Sequence, residues 1–268
     1  MKLFKLLFLL GFIFVFQSAA NSAEVTFTAI SDTNIKADKV NNSMTPSIKK
    51  LLMAKNDINK SGSKFVIFLG NNISKAEKYD LVMFSKIVNK INKPVYTEIG
   101  NRDIQRVKGL DKKEYYRVLN KYSKNKISKV PSTKKLDGFV FIFMDGINET
   151  IPMPKGYFKD KELIWLESTL EKNKDKNVIL IQHFPGYTGK EENDTLYNQG
   201  PYNRLLSKYG NIKAVISGHI NSDFEGEDEN GIKHISVPSL SSAGEYKVIN
   251  IKTMDGNTLI QTKTISVE

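Results

Sequence analysis

The chain of 268 residues predicts an α/β fold, a sandwich of two mixed β-sheets flanked by helices. Three observations lead there. Short, β-branched and aromatic runs alternate with helix-like stretches along most of the chain, the pattern of parallel strands packed by helices on their faces. The tail from Lys233 onwards is β-rich throughout and adds antiparallel strands. No internal repeat or low-complexity linker interrupts the alternation, so one domain is the simplest organisation.

The elements follow in order. Residues 25–30 read as a strand, with Asp32 just beyond its end. Residues 46–60 read as a helix, with Pro46 at its start and Ile48, Leu51, Leu52 and Ile58 as an apolar stripe. The run Phe65-Val66-Ile67-Phe68-Leu69 within 64–69 is a buried strand ending at Gly70. Residues 78–91 form a helix, 94–99 a strand ending at Gly100, and 112–123 a helix rich in Lys and Tyr. The lysine-rich stretch 122–135 reads as a flexible loop. Residues 139–145 are a strongly apolar strand, and 159–172 a helix with Leu163, Leu166 and Leu170 towards the core. Strands at 178–182 and 214–217 end at His183 and Gly218. The acidic run Asp223, Glu225, Glu227, Asp228, Glu229 reads as a solvated turn, with Asp223 free to lend a carboxylate nearby. Residues 246–252 and 258–267 read as a hairpin, and His234 in this tail as structural.

The amino terminus has its own logic. Lys2 and Lys5 precede an apolar run from Leu6 to Phe16, followed by Ser18-Ala19-Ala20-Asn21-Ser22-Ala23. A basic start, a short apolar core and a small-residue exit make a cleaved signal peptide over 1–23, cut after Ala20 or Ala23, and imply a periplasmic or secreted protein. A spanning helix needs about 20 apolar residues, more than this run supplies. No second long apolar stretch follows.

The chain has no cysteine, which excludes disulfides and thiolate metal sites. Its net charge is +11, and loss of Lys2 and Lys5 leaves +9. The cations are nearly all Lys, with Arg only at 102, 106, 117 and 204, and they are dispersed over helix faces and loops. No stretch interleaves basic and aromatic residues, so the charge does not point to specific nucleic-acid binding.

Five segments carry the chemistry: Ser31-Asp32-Thr33-Asn34, Gly70-Asn71-Asn72, Gly100-Asn101-Arg102-Asp103, Gln182-His183-Phe184-Pro185 and Gly218-His219-Ile220-Asn221. Each follows a strand, and in α/β sheets ligands gather at the carboxyl ends of strands. One Gly-Asn or one His alone means little. Five in succession, each in the same structural context, mark a site. Tyr187 lies close enough in sequence to His183 to rim a pocket there.

In their order and spacing the five segments resemble the loops of the calcineurin-like metallophosphoesterases, closest to the branch with cyclic-nucleotide phosphodiesterases and purple acid phosphatases. The resemblance extends through Asp160-Lys161-Glu162-Leu163-Ile164-Trp165-Leu166 and 232–240, so it implies a phosphoesterase domain over 24–268. It implies a phosphatase fold, and a hydrolase with two metals held by seven side chains. Carried over by position, Asp32 keeps the first-loop aspartate and Asn34 replaces its histidine. Asn71 replaces the carboxylate that bridges both metals, Asn101 is kept, and Arg102 replaces the histidine that assists the phosphate or leaving group. His183 and His219 are kept, and Asn221 replaces the last histidine.

A two-metal site clamps phosphoryl oxygens and lowers the pKa of a bridging water. With Asp32 as its one remaining carboxylate, and Asn34, Asn71 and Asn221 as neutral amides, the first metal position is expected to be empty. The set Asn71, Asn101, His183 and His219 retains capacity for one weakly held divalent metal (Mn, Fe, Zn or Mg) or for none. Arg102 adds a permanent cation suited to a phosphate ester or other anionic ligand. Arg102 and Asp32 are the candidates for any remaining chemistry. The expectation is an exported, catalytically impaired or inactive homologue that binds an anion or partner. The alternative is a weak metal-dependent phosphomonoesterase or phosphodiesterase using His183 and His219.

Overall fold

The computed structural model describes residues 22–41, 43–124, 126–149, 154–189, 195–254 and 257–267. Residues 1–21, most of the segment 1–23 expected to be a signal peptide, lie outside this set. Among the described residues no helix is long and apolar enough to cross a membrane.

The first half of the chain alternates β1 (Ala23–Ile30), α1 (Pro46–Lys60), β2 (Val66–Leu69), α2 (Lys78–Val88), β3 (Val95–Glu98) and α3 (Lys112–Tyr122). The second half runs β4 (Ser132–Leu136), β5 (Phe139–Phe143), α4 (Asp160–Lys172), β6 (Asn177–Ile181), α5 (Gln199–Leu206), β7 (Ile212–Ser217), β8 (Phe224–Glu227), β9 (Lys233–Ser236), β10 (Glu245–Met254) and β11 (Asn257–Ser266). Two mixed sheets result, in the orders β11-β10-β1-β2-β3 and β4-β5-β6-β7-β9-β8. Strands β1, β2 and β3 are parallel to one another, as are β5, β6, β7 and β9. The antiparallel additions are β10, β11, β4 and β8.

Central strands such as β2, β5 and β6 are apolar on both faces because both faces are covered. Alternate residues, such as Val25, Phe27 and Ala29 of β1 or Phe139, Phe141 and Phe143 of β5, fill the layer between the sheets. There Phe27 stacks on Phe65 with centroids 5.1 Å apart, and Phe141 meets both edge-on at 5.5 and 5.4 Å. Their intervening neighbours, including Val66, Phe68, Val140 and Ile142, belong to the outer cluster with the helices. Helix α1 begins at Pro46 and buries Ile48, Leu51, Ala54 and Ile58, while Leu52 packs only partly. Asp111 caps α3 by accepting the Glu114 amide at 2.7 Å.

Three expectations need correction. Part of the stretch 122–135 is tied down rather than loose. The Asn120 side chain donates to the Ile127 carbonyl at 3.1 Å and accepts its amide at 2.7 Å, and the Val130 amide donates to the Tyr116 hydroxyl at 3.0 Å. Ser132–Leu136 then forms β4, joined to β5 by Asp137-Gly138, both with positive φ (48° and 85°). A two-residue Asp-Gly connection suits the right-handed twist of a hairpin, so the turn overrides the low β-propensity of the lysines. The acidic run is no free turn either. Phe224–Glu227 is strand β8, and Asp223 and Glu225 pair with the buried Lys247 of β10 at 2.7 and 2.9 Å, bonding one sheet to the other. Lastly, Tyr187 packs on Phe224 and His234, with centroids 6.1 and 5.1 Å away. His234 is held at 3.1 Å from Asp228, in keeping with a structural role.

Candidate active site

All five segments leave the carboxyl ends of parallel strands, from β1, β2 and β3 in one sheet and from β6 and β7 in the other. The loops meet across the seam between the sheets. The backbone there is unusual. Asp32, Asn34, Asn71, His219 and Asn221 have positive φ of 50°, 41°, 51°, 70° and 58°; among the described residues Asp137 is the one other non-glycine with positive φ. Asp, Asn and His tolerate the left-handed region best, and such strain persists where the surroundings enforce it. Two glycines allow the loops to close. A Cβ on Gly218 would sit 1.9 Å from Ser31 Oγ, and one on Gly100 would sit 2.1 Å from the Asn71 amide nitrogen.

Asp32 is buried and both of its carboxylate oxygens accept hydrogen bonds. Oδ1 accepts from Asn71 Nδ2 at 2.8 Å, while Oδ2 accepts from Ser31 Oγ at 2.5 Å and from the His219 amide at 3.1 Å. The orientation of the Asn71 amide is set by its partners. The Arg102 backbone N–H can only donate, so the atom facing it at 2.9 Å is Oδ1, and the opposite end facing the carboxylate is the NH₂ group. Asn34 donates from Nδ2 to the Asp32 carbonyl at 3.2 Å and to Ser241 Oγ at 2.9 Å, leaving Oδ1 buried without a partner. Ser239 Oγ donates to the same Asp32 carbonyl at 3.3 Å.

His183 is buried. Its Nδ1 lies 2.7 Å from the Leu69 carbonyl, which accepts, so Nδ1 carries the proton and the neutral ring presents a lone pair at Nε2. That Nε2 is 3.2 Å from Asn101 Oδ1. His219 lies beside it, with ring centroids 5.1 Å apart, and its Nδ1 is buried and unpartnered. Burial lowers the pKa of His183, and burial followed by the neighbouring His183 pushes His219 down to about 3. Both rings are therefore neutral at ordinary pH. Arg102 is exposed, and among the described residues no carboxylate pairs with its guanidinium. Its charge reaches both imidazoles, lowering each further. Asn221 is exposed and makes no hydrogen bond to the rest of the group among the described residues.

Several contributors to this network were not foreseen. Ser239 and Ser241 follow β9, and no local spacing marks them. Lys50 of α1 donates to the Ser241 and Ser242 carbonyls at 2.7 and 3.2 Å, anchoring that loop. Asp103 supports the site from below. It accepts the amides of Gly100 at 2.8 Å and Ile73 at 3.0 Å and the Asn72 side chain at 3.3 Å, yet burial pushes its pKa up to about 7. The quoted Gly100-Asn101-Arg102-Asp103 segment contained it, but its spacing gave no sign of this inward, structural direction.

The fold and the loop geometry are those of one family, and direct comparison agrees. The family model for calcineurin-like phosphoesterases matches residues 25–223, and the chain belongs to that family. Members typically depend on divalent metal ions. Over 210 residues the chain is 23% identical to a protein of Colwellia psychrerythraea described as "Probable cyclic nucleotide phosphodiesterase", covering 76% of this chain and 73% of that one. Over 191 residues it is 22% identical to the 3',5'-cyclic adenosine monophosphate phosphodiesterase CpdA of Haemophilus influenzae, covering 68% and 64%. Among solved structures, a dimetal phosphatase from Danio rerio superposes with a TM-score of 0.62 at 13% identity, covering 89% of this chain and 98% of that one. A purple acid phosphatase from yellow lupin gives 0.58 at 13% identity, covering 90% and 51%. At such identities the superpositions establish the fold.

Proposed function

We propose that this chain is an exported member of the phosphoesterase family whose two-metal centre has been replaced by a hydrogen-bonded lock, and that it binds an anion at Arg102 with hydrolysis impaired or lost. One observation carries the reading: Asn71, at the bridging position, turns its NH₂ towards Asp32 Oδ1 and has its own oxygen held by the Arg102 amide. A bridging ligand must present lone pairs to two cations. Here the group presents hydrogens to the carboxylate, and Asp32 already accepts from Ser31, Asn71 and His219. With Asn34 Nδ2 also committed to protein acceptors, the residues do not fit a metal at the first position. Among the described residues no cluster of three or more His, Cys, Asp or Glu is arranged to hold a metal ion. Neutral imidazoles leave Arg102 as the cation of the site, and its fork matches phosphate geometry. A phosphate monoester, or a diester of the kind the named relatives cleave, is the ligand class. The apolar run in 1–21 and the small residues after it support export.

A second reading rests on the other half of the site. The lone pair at His183 Nε2 and Asn101 Oδ1 are both acceptors at 3.2 Å, and His219 Nδ1 lacks a partner. Such a trio either takes a cation or turns the Asn101 amide so that its NH₂ faces the ring. One divalent ion there would support weak phosphomonoesterase or phosphodiesterase activity. Metal analysis of the purified protein decides between the readings, together with turnover of an aryl phosphate and its diester in added Mn²⁺. The lock reading expects sub-stoichiometric metal and no turnover. Stoichiometric metal with turnover lost in His183→Ala would overturn it.

A further inference from the structure

The loops around the site carry a second feature that the phosphoesterase reading does not use. Of nine large apolar or aromatic side chains exposed among the described residues, six follow the carboxyl ends of strands and so share one end of the molecule: Val40, Met44, Tyr79, Val107, Tyr157 and Tyr197. Val40 is 87% exposed and Val107 73%, values normal for lysine rather than valine. These loops form one continuous rim. The first joins the second through the Ile35–Ile73 bridge and the Lys39–Glu77 ion pair. The second joins the third where the Leu110 amide donates to the Ala76 carbonyl at 3.0 Å. The third joins the loop after β5 where the Arg106 amide donates to the Glu149 carbonyl at 2.8 Å. That loop meets the next through the Gly156–Leu196 bridge, where the Tyr197 amide donates to the Gly156 carbonyl at 3.0 Å.

All of these tips except Met44 have a cation close by. Lys39, paired with Glu77, precedes Val40; Lys78, 3.4 Å from Glu114, precedes Tyr79; and Arg106, 3.9 Å from Glu149, and Lys108 flank Val107, and exposed pairs of this kind are weak enough to exchange for a phosphate. Lys155 Nζ lies 5.7 Å from the centre of the Tyr197 ring, next to Tyr157. Protein–protein interface cores are depleted in charge and pack as a contiguous apolar surface. Isolated aliphatic tips with basic residues near most of them, and tyrosines that keep a polar end in water, suit the headgroup boundary of a lipid bilayer instead.

We propose that this rim docks the protein on an anionic phospholipid surface, with the tips entering the headgroup region and the neighbouring cations meeting lipid phosphates. The active-site face, with Arg102, then looks into the membrane interface. The inference does not depend on what occupies the metal positions, because none of the rim residues belongs to them.

The test uses the chain from Ser22 onwards, which carries every described element, so that the amino-terminal apolar run does not contribute. Co-sedimentation is measured with vesicles of phosphatidylglycerol and phosphatidylcholine, and with phosphatidylcholine alone, at low and high salt. Binding to the anionic vesicles alone, weakened by salt, is expected. The neutral double substitution Val40→Ser/Val107→Ser should weaken it at least fivefold with unchanged melting temperature. Ile164→Ser should leave it intact, since Ile164, 67% exposed, belongs to α4 and not to the rim loops. No binding to anionic vesicles would overturn the proposal and leave the rim to a protein partner. Equal binding by Val40→Ser/Val107→Ser, or an equal loss in Ile164→Ser, would overturn it as well.

Discussion

Asn71 gives a hydrogen bond to Asp32 at 2.8 Å across the carboxyl ends of two adjacent parallel strands, and so joins β1 to β2 by side chains where their ladder stops. A carboxylate at position 71 would need cations to approach Asp32 so closely. The amide needs none, and the pair holds the two left-handed loops in place by itself.

Asn71→Asp should therefore be destabilising in metal-free buffer, by about 1–3 kcal/mol, since a hydrogen bond becomes a like-charge contact. Two carboxylates that share a site raise their combined pKa in the fold, so the penalty should grow from pH 5 to pH 8 and shrink as a proton is taken up. Added Mn²⁺ should recover the loss. Urea denaturation with and without chelator reads all three, and a variant as stable as the parent and indifferent to metal would show that the pair does not lock the loops.

Asp103 makes a separate pH prediction. Its folded pKa is raised to about 7 by burial, so its contribution to stability is complete below the unfolded value near 4 and is lost as pH climbs through 7. Between pH 4 and 7 the parent should lose stability with a component that Asp103→Asn lacks, whatever the variant's absolute stability. Parallel curves for the two proteins would refute this assignment.

The anion reading is best tested with sulfate, which keeps its charge over the range. Sulfate and inorganic phosphate should raise the melting temperature, by about 2.7 kcal/mol of stability at a hundredfold excess over Kd, and Arg102→Ala should remove the gain. Because His219 titrates near 3 and His183 is also lowered, sulfate affinity should change less than twofold between pH 8 and 5. A tenfold rise on acidification would instead reveal an imidazole charging in contact with the ligand.

Lys247 is 2% exposed with its ammonium on Asp223, Glu225 and Thr264. Lys247→Met takes the ammonium from two partly solvated carboxylates, Glu225 keeping only Lys233 at 3.6 Å, and should cost about 1–3 kcal/mol, below the 3–5 typical of a fully buried orphan charge. Adding Asp223→Asn and Glu225→Gln should return much of it. A triple variant no better than the single would place the cost in packing rather than charge.

The sequence announced those elements whose apolar pattern and boundaries agree. Helix α1 matches its expected limits because Pro46 sets φ at its start and the Ile48, Leu51, Ile58 stripe has helical spacing. Strands such as β5 show as unbroken apolar runs because two layers cover them. The missed elements are those whose local composition argues against them. Strand β4 is Ser-Thr-Lys-Lys-Leu, β8 is Phe-Glu-Gly-Glu, and α5 opens Gln-Gly-Pro. Each is held by tertiary partners: a hairpin turn, the ammonium of Lys247, or the packing of Tyr202 against Phe158 at 4.9 Å. At the site, the spacing of the five segments indicated where Asp32, Asn71, Asn101, His183 and His219 stand. It could not indicate which way an amide points, and that depends on the Arg102 backbone N–H, a group no side-chain motif records.

Strand β10 seals the edge of β1 that the parallel strands leave open. Residues 23–29 pair with 253–247, so the opening strand stays half-bonded until the last hairpin arrives. During synthesis the amino-terminal strand leaves the ribosome long before its partner exists, and its open edge cannot seal in the meantime. The β1–β10 ladder joins residues far apart in the sequence, and such non-local pairing slows folding relative to proteins whose contacts are local.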